Sequence, residues 1–275
     1  MLAERGHVVE VFEASDKVGG QLLLASLAPR RRDLRGIIDW RTQELARLGV
    51  PIRFNSYVEG SDLLAGEWDE VVVATGGVPA APDVPGAHLI RDTWDVLSGA
   101  AKPTGRVLVY DDHGGNQALD AVEALVRAGA SVQLVTPERT LSPEVGTITA
   151  VGYFESLARA GVLVTTLRRL YGVARGADGL EVTLGTDASD FRETLAVDAV
   201  VAEVGTDAVA ELYDELVPHS LNEGATDFVE LLAQRPQTIV RNPEGRFRLY
   251  RIGDAISSRN AQAAILDARR LAGTI

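Results

Sequence analysis

Short apolar runs and helical stripes alternate along this chain, and the alternation predicts an α/β fold. Val8, Val9, Val11 and Phe12 form a run that reads as a strand ending in the acid Glu13. Ahead of it, Met1–Gly6 reads as the last turn of a helix. Beyond Glu13 a turn leads through the paired glycines Gly19 and Gly20 into the apolar Leu22-Leu23-Leu24. From Leu34 to Leu48 the spacing is helical: Ile37, Ile38, Leu45 and Leu48 share one stripe, and Gly49 ends the helix. Pro51–Phe54 reads as a short strand, and Trp68–Thr75 as a buried strand running into Gly76-Gly77. The Pro-rich stretch Val78–Gly86 is a connector.

The pattern restarts at Gly105. Arg106–Tyr110 reads as a strand, Asp111–Asn116 as a polar turn, and Gln117–Ala128 as a helix with Leu119, Val122 and Leu125 facing inward. Ser131–Thr136 is the next strand, followed by a helix over Tyr153–Ala160. Strands follow at Val162–Thr166, Leu180–Leu184 and Ala196–Val204, and a helix at Val209–Val217. The tail offers one more strand, Phe247–Ile252, then Gly253-Asp254-Ala255 and a helix over Asn260–Leu271. The expected fold class is therefore α/β, with two Rossmann-like, three-layer domains. One comprises residues 1–100 plus 245–275; the other, 101–244, is inserted into it.

Glu13 gives the pattern its chemistry. In a dinucleotide-binding fold, an acid at the end of the second strand accepts hydrogen bonds from an adenosine ribose, and a glycine fingerprint lies about 20 residues upstream. Met1 comes too late for that fingerprint. The first domain is therefore expected to be incomplete at its N-terminus, its first strand missing, as though the chain were cut inside its first βαβ unit.

Composition narrows the partners. The 275 residues carry a net charge of -12, which repels nucleic acid and anionic membranes. An anionic dinucleotide remains admissible, because backbone N–H groups at a helix N-terminus bind phosphate without net basic charge. The chain has no cysteine, which excludes disulfides, thiol chemistry and a cysteine-held Fe-S cluster within it. No apolar run reaches transmembrane length, and the N-terminus does not resemble a signal peptide. A cytoplasmic location is the default expectation.

Five stretches together resemble one family: V-F-E-A-S-D-K-V-G-G-Q-L (Val11–Leu22), V-V-V-A-T-G-G-V-P (Val71–Pro79), V-L-V-Y-D-D-H-G (Val107–Gly114), L-V-T-P-E-R (Leu134–Arg139) and R-I-G-D-A-I-S-S-R-N (Arg251–Asn260). Their order and spacing resemble the C-terminal region of the trimethylamine dehydrogenase and 2,4-dienoyl-CoA reductase group. These are old-yellow-enzyme-related NADH:flavin oxidoreductases, and the similarity is greatest to members that handle N-methylated amines. The resemblance implies an electron-transfer portion that binds FAD, or ADP in its place. Full-length members add a TIM barrel with FMN and substrate, and most add an iron–sulfur cluster. The barrel would be a domain or subunit outside this chain, and no catalytic residue is assigned within it.

The resemblance assigns cofactor contacts residue by residue. Glu13 takes the ribose; Gly19, Gly20 and Gln21 line the cofactor cleft; Thr75 and Gly76 pass beside the adenosine and pyrophosphate; Gly253 and Asp254 belong to the distal flavin motif, whose acid bonds to the ribitol chain. The plain alternatives are a solvent-facing acid, tight turns and a helix cap. Ser257–Asn260, opening the last helix, would aim its positive end at the flavin or its replacement.

The second domain departs from its pattern. A nicotinamide-nucleotide site needs a glycine-rich turn, and here the turn is Asp111-Asp112-His113-Gly114-Gly115-Asn116. Two carboxylates would lie where a pyrophosphate sits, so NAD(P) binding is expected to be weak or absent. The run Arg30-Arg31-Arg32 reads as a solvated surface, with a dock for a phosphate or the barrel as the other reading; Trp40, Trp68 and Trp94 read as packing residues. Two functions stay open at this point: a flavin- or ADP-binding electron-transfer portion of an oxidoreductase, or a non-catalytic binding module that needs a barrel-bearing partner. On the first, the chain alone is expected to hold either nucleotide poorly.

Overall fold

The computed structural model describes residues 1–275. The chain forms two compact units: Met1–Leu23, Leu34–Val78 and Thr206–Ile275 make the first, and Leu24–Asp33 with Pro79–Gly205 make the second. The boundaries read from sequence, 1–100 plus 245–275 and 101–244, fall elsewhere. Residues 79–100 fold with the second unit because Arg91–Asp92 is an edge strand of its sheet, paired with Ala199–Glu203. Residues 206–244 fold with the first because the helix Glu211–Leu216 sets Leu216 in its core.

The second unit is built on a five-stranded parallel sheet. Its order is Arg91–Asp92, Ala199–Glu203, Arg106–Asp111, Ser131–Val135, Leu163–Thr165. A strand alternates its side chains between faces, and a parallel sheet needs both faces covered. Val107 and Val109 face the helices Asn116–Arg127 and Thr147–Arg159, packing with Leu119, Val122 and Tyr153. Leu108 and Tyr110 face the other way, onto Leu170, Val182 and Leu184. Those last residues belong to a three-stranded antiparallel sheet of Arg169–Gly176, Gly179–Gly185 and Arg192–Val197. The result is three layers, with the apolar strand Val107–Tyr110 buried at their centre.

Sequence periodicity found only the middle strand of that antiparallel sheet. Its neighbours Arg169–Gly176 and Arg192–Val197 mix charged with apolar residues, because one face of each is open to solvent. The Thr147–Arg159 helix begins six residues earlier than expected. Its first turns carry Ile148 and Val151, which are exposed and do not mark a buried stripe.

The arginine run also lies differently from its expected solvated reading. Arg31 Nη1 sits 3.3 Å from Asp120 Oδ2, and Arg30 Nε donates to Glu123 Oε1 at 2.6 Å; both acids are buried on the Asn116–Arg127 helix. Asp120 also accepts from the Tyr153 hydroxyl at 2.6 Å. Asp120 thus finds its cation 89 residues away, and Glu123 adds Arg30, 93 residues away, to its local partner Arg127 at 3.7 Å.

The first unit holds two separate pairs of parallel strands: Val11–Phe12 with Ile52–Arg53, and Glu70–Val73 with Arg248–Arg251. Its core gathers Leu63, Val71, Val73, Leu216, Phe247 and Leu249. The helix Arg35–Arg47 matches its expected span, ending before Gly49 at φ +68°. Ala261–Leu271 is capped by Asn260, whose Oδ1 accepts from Ala263 N at 2.9 Å. Trp68 packs against the core, whereas Trp40, read as a packing residue, is exposed on the polar side of its helix. No helix is long and apolar enough to cross a membrane.

Candidate functional site

Open α/β sheets bind ligands at the carboxyl ends of their strands. In the first unit, the strand Glu70–Val73 leads into Thr75-Gly76, and its parallel neighbour Arg248–Arg251 into Gly253-Asp254. The pairing continues past the strand ends, Ile252 N donating to Val73 O at 3.0 Å. The two motifs are therefore adjacent on one edge.

Gly253 turns at φ +63°, and a side-chain carbon there would meet Ala264 Cβ at 3.1 Å. The left-handed turn and the close helix both call for glycine. Gly253 N donates to Asp267 Oδ2 at 3.2 Å, and Arg259 ties Asp267 back to the Gly253 carbonyl. Asp254 Oδ1 accepts from Arg259 N at 3.2 Å, and its Oδ2 accepts from Gln21 Nε2 at 3.0 Å. That last bond brings together two motifs 233 residues apart in the chain.

Gln21 stands in the short helix Gly20–Ala25. Gly19 ahead of it takes φ +126°, where a Cβ would lie 2.7 Å from Ile38 Cδ1, so this glycine lets the turn close on the Arg35–Arg47 helix. Gly20 (φ +46°) and Gly76 (φ +75°) also turn left-handed, but a Cβ on either would meet only open space. Gly76 O accepts from Val209 N at 3.0 Å, and the Thr75 hydroxyl donates to Val209 O. Thr75 is thus spent on the protein, while the open side of Gly76 is free for close approach.

Glu13 ends the other pair of strands. Its N–H donates to Arg53 O at 2.9 Å, and its own carbonyl accepts from Ser56 N at 2.9 Å. Carboxylate Oε1 accepts from Ser15 N at 2.9 Å and Ser15 Oγ at 2.7 Å, which fixes the side chain and leaves Oε2 unengaged. No hydrogen bond joins Glu13 to the Gln21–Asp254 group. Next to Glu13 opens a cleft of about 320 Å³, lined among others by Phe12, Asn55, Tyr57 and Trp68. Phe12 and Trp68 meet edge to face at 6.0 Å. Asn55 and Tyr57 lie outside the five motifs and carry no expectation from the sequence. The available signal was their place directly after a parallel strand, with Asn55 at φ +52°, a conformation asparagine tolerates.

A carboxylate and left-handed glycines at the ends of parallel strands are features that the dinucleotide-binding fold class uses. The comparisons give the family. Residues 54–265 match the model of the pyridine nucleotide-disulphide oxidoreductases, and the chain belongs to that family. It is 42% identical over 269 residues to a probable N-methylproline demethylase of Rhizobium meliloti, covering 98% of this chain and 40% of that protein. It is 37% identical over 281 residues to an N,N-dimethylglycine/sarcosine dehydrogenase of Chromohalobacter salexigens, again covering 98% of this chain and 40% of the relative. Among solved structures, 6-hydroxypseudooxynicotine amine oxidase of Pseudomonas geniculata N1 superposes with a TM-score of 0.79 at 26% identity, over 99% of this chain and 39% of that one. These relatives are of the trimethylamine dehydrogenase and old-yellow-enzyme-related type that the five motifs resemble, and the chain spans about 40% of their length.

Proposed function

We propose that this chain is the flavin- or ADP-binding, electron-transfer portion of an oxidoreductase that acts on N-methylated amino compounds. The observation that carries the reading is the Gln21–Asp254 bond, which draws the glycine turn and the distal acid to one strand edge. The free Oε2 of Glu13 and the open faces of Gly20 and Gly76 fit an adenosine ribose and a closely approaching pyrophosphate. The cleft beside Glu13, with Tyr57 and Phe12 in its lining, fits the flat adenine ring. Bound FAD would supply reversible one- and two-electron transfer; ADP in its place would leave the region structural. The chain's own residues would bind and orient: Glu13 would hold the ribose, and Asp254, set by Gln21 and the Arg259 N–H, would serve the distal part of the cofactor.

The substrate class rests on the relatives, whose names concern N-methylproline, dimethylglycine and sarcosine. Chemistry on such a substrate belongs to a barrel-bearing part, a further domain or a separate subunit.

Calorimetric titration of this chain with ADP, and flavin absorbance after incubation with FAD, test the cofactor reading. ADP is expected to bind weakly, and Glu13→Ala to weaken it by roughly 10- to 100-fold through loss of charge-assisted hydrogen bonds. Unchanged affinity in that variant, or no heat with ADP at millimolar concentration, refutes it.

A further inference from the structure

The second unit carries its own strand-end acid, with the opposite exposure. Asp111 closes the central strand Arg106–Asp111, in register with Glu203 on the neighbouring strand. Its side chain is fully buried. Oδ1 accepts from His113 N at 3.2 Å and from Gly114 N at 2.8 Å, and Oδ2 is buried with no partner. Asp112, by contrast, turns outward. It accepts from the Tyr110 hydroxyl at 3.1 Å and pairs with Arg169 at 3.0 Å, so its charge is compensated on the protein. The repulsion read from the sequence as shared by two carboxylates therefore falls to Asp111, with Glu203 behind it.

Asp111 occupies the turn from inside. A nucleotide loop binds pyrophosphate with backbone N–H groups between strand and helix. Here two of those groups already point at a carboxylate that the chain supplies. The outer side is held as well: Glu144 N donates to Gly114 O at 3.1 Å, and a Cβ on Gly114 would lie 2.9 Å from Pro143 Cδ. Glu203 adds a second buried acid, tied to Thr93 Oγ1 and to Gly205 N.

We propose that Asp111 is a built-in stand-in for a cofactor phosphate: it closes the strand-to-helix turn of the second unit to pyrophosphate-bearing nucleotides. The nicotinamide nucleotide site that the family implies does not fit the residues here. No electron step in this protein passes through a nicotinamide held at Asp111–Asn116. Burial, with a smaller push from Asp112, holds the Asp111 carboxyl above the ordinary aspartate range against the N–H groups of Gly114 and His113, which favour its charge.

The experiment titrates NADH, followed by nicotinamide fluorescence, into the chain and into Asp111→Ala, both in a Glu13→Ala background that suppresses the first unit's proposed ribose contact. Circular dichroism checks that each variant is folded. The parent is expected to bind NADH only weakly, and Asp111→Ala to gain at least tenfold in affinity. Asp111→Asn removes charge but keeps the acceptor and serves if the alanine variant fails to fold; it is expected to gain about threefold. Tight NADH binding by the parent, or no gain in a folded Asp111 variant, overturns the proposal.

Discussion

Glu70 offers a test of how burial sets charge in the first unit. It faces Arg248 in register across the parallel strands, with 3.6 Å between nitrogen and oxygen. Its Oε2 is buried without a partner, as are Arg248 Nε and the Tyr250 hydroxyl. Burial raises the carboxyl from 4.5 to about 7, against the pull of Arg248 and with a further push from Asp69. Between those two values the folded state holds a proton that the unfolded chain has released. Stability therefore falls as pH rises through that window and levels off above the folded value. The full shift corresponds to about 3 kcal/mol, and solvent contact at the 24%-exposed side chain trims this to about 2 kcal/mol.

Glu70→Gln removes the titration. Urea unfolding followed by tryptophan fluorescence at pH 5 and at pH 8 measures the consequence, since Trp40 and Trp68 both lie in the first unit. The variant is expected to gain about 2 kcal/mol on the wild type between the two pH values. Other buried acids, Asp120 and Glu203 among them, titrate alike in both proteins and cancel in the difference. Parallel stability profiles for the two proteins refute the argument, because they mean Glu70 is as free to ionise when folded as when unfolded.

Leu134→Ala, at a fully buried position in the parallel sheet, is expected to cost about 2–5 kcal/mol in chemical unfolding of the second unit. Tyr153→Phe takes the hydroxyl donor from buried Asp120 and is expected to cost about 1–3 kcal/mol in the same assay. Gly253→Ala places a Cβ at φ +63° against Ala264 and is expected to destabilise the first unit by about 1–2 kcal/mol. In hydrogen exchange, amides of Val107–Tyr110 are expected to outlast Val11 and Glu13 by a wide margin, since the former lie between two covering layers and the latter on a two-residue pair.

The elements with a buried stripe were legible in the sequence. Arg35–Arg47, Asn116–Arg127 and Ala261–Leu271 all lie within a residue or two of their expected ends, because apolar spacing, a following glycine or a capping asparagine mark them locally. The short helices Gly60–Ala65, Thr93–Ser98 and Phe228–Ala233 carry too few residues to show a period. Their starts are set instead by caps at Glu59, Asp92 and Asp227. Pairings over long separations were not legible at all. Nothing near Asp120 announces Arg31, and nothing near Asp254 announces Gln21; sequence supplied both members of each pair but not their meeting.

Glu13 and Asp111 show why residue type at a strand end is an insufficient guide to binding. Each is an acid closing a strand of a parallel pair, followed by a turn and glycines. Ser15 fills one oxygen of Glu13 and leaves the other open, on a strand of two residues beside an open cleft. Asp111 sits on a strand covered on both faces, so its carboxylate has nowhere to turn except toward its own loop, and it takes the N–H groups of His113 and Gly114. On the two proposals made above, the same chemistry accepts a ribose hydroxyl where it faces outward and excludes a phosphate where it faces inward. Depth of the strand in its sheet, and not the identity of the acid, decides between the two.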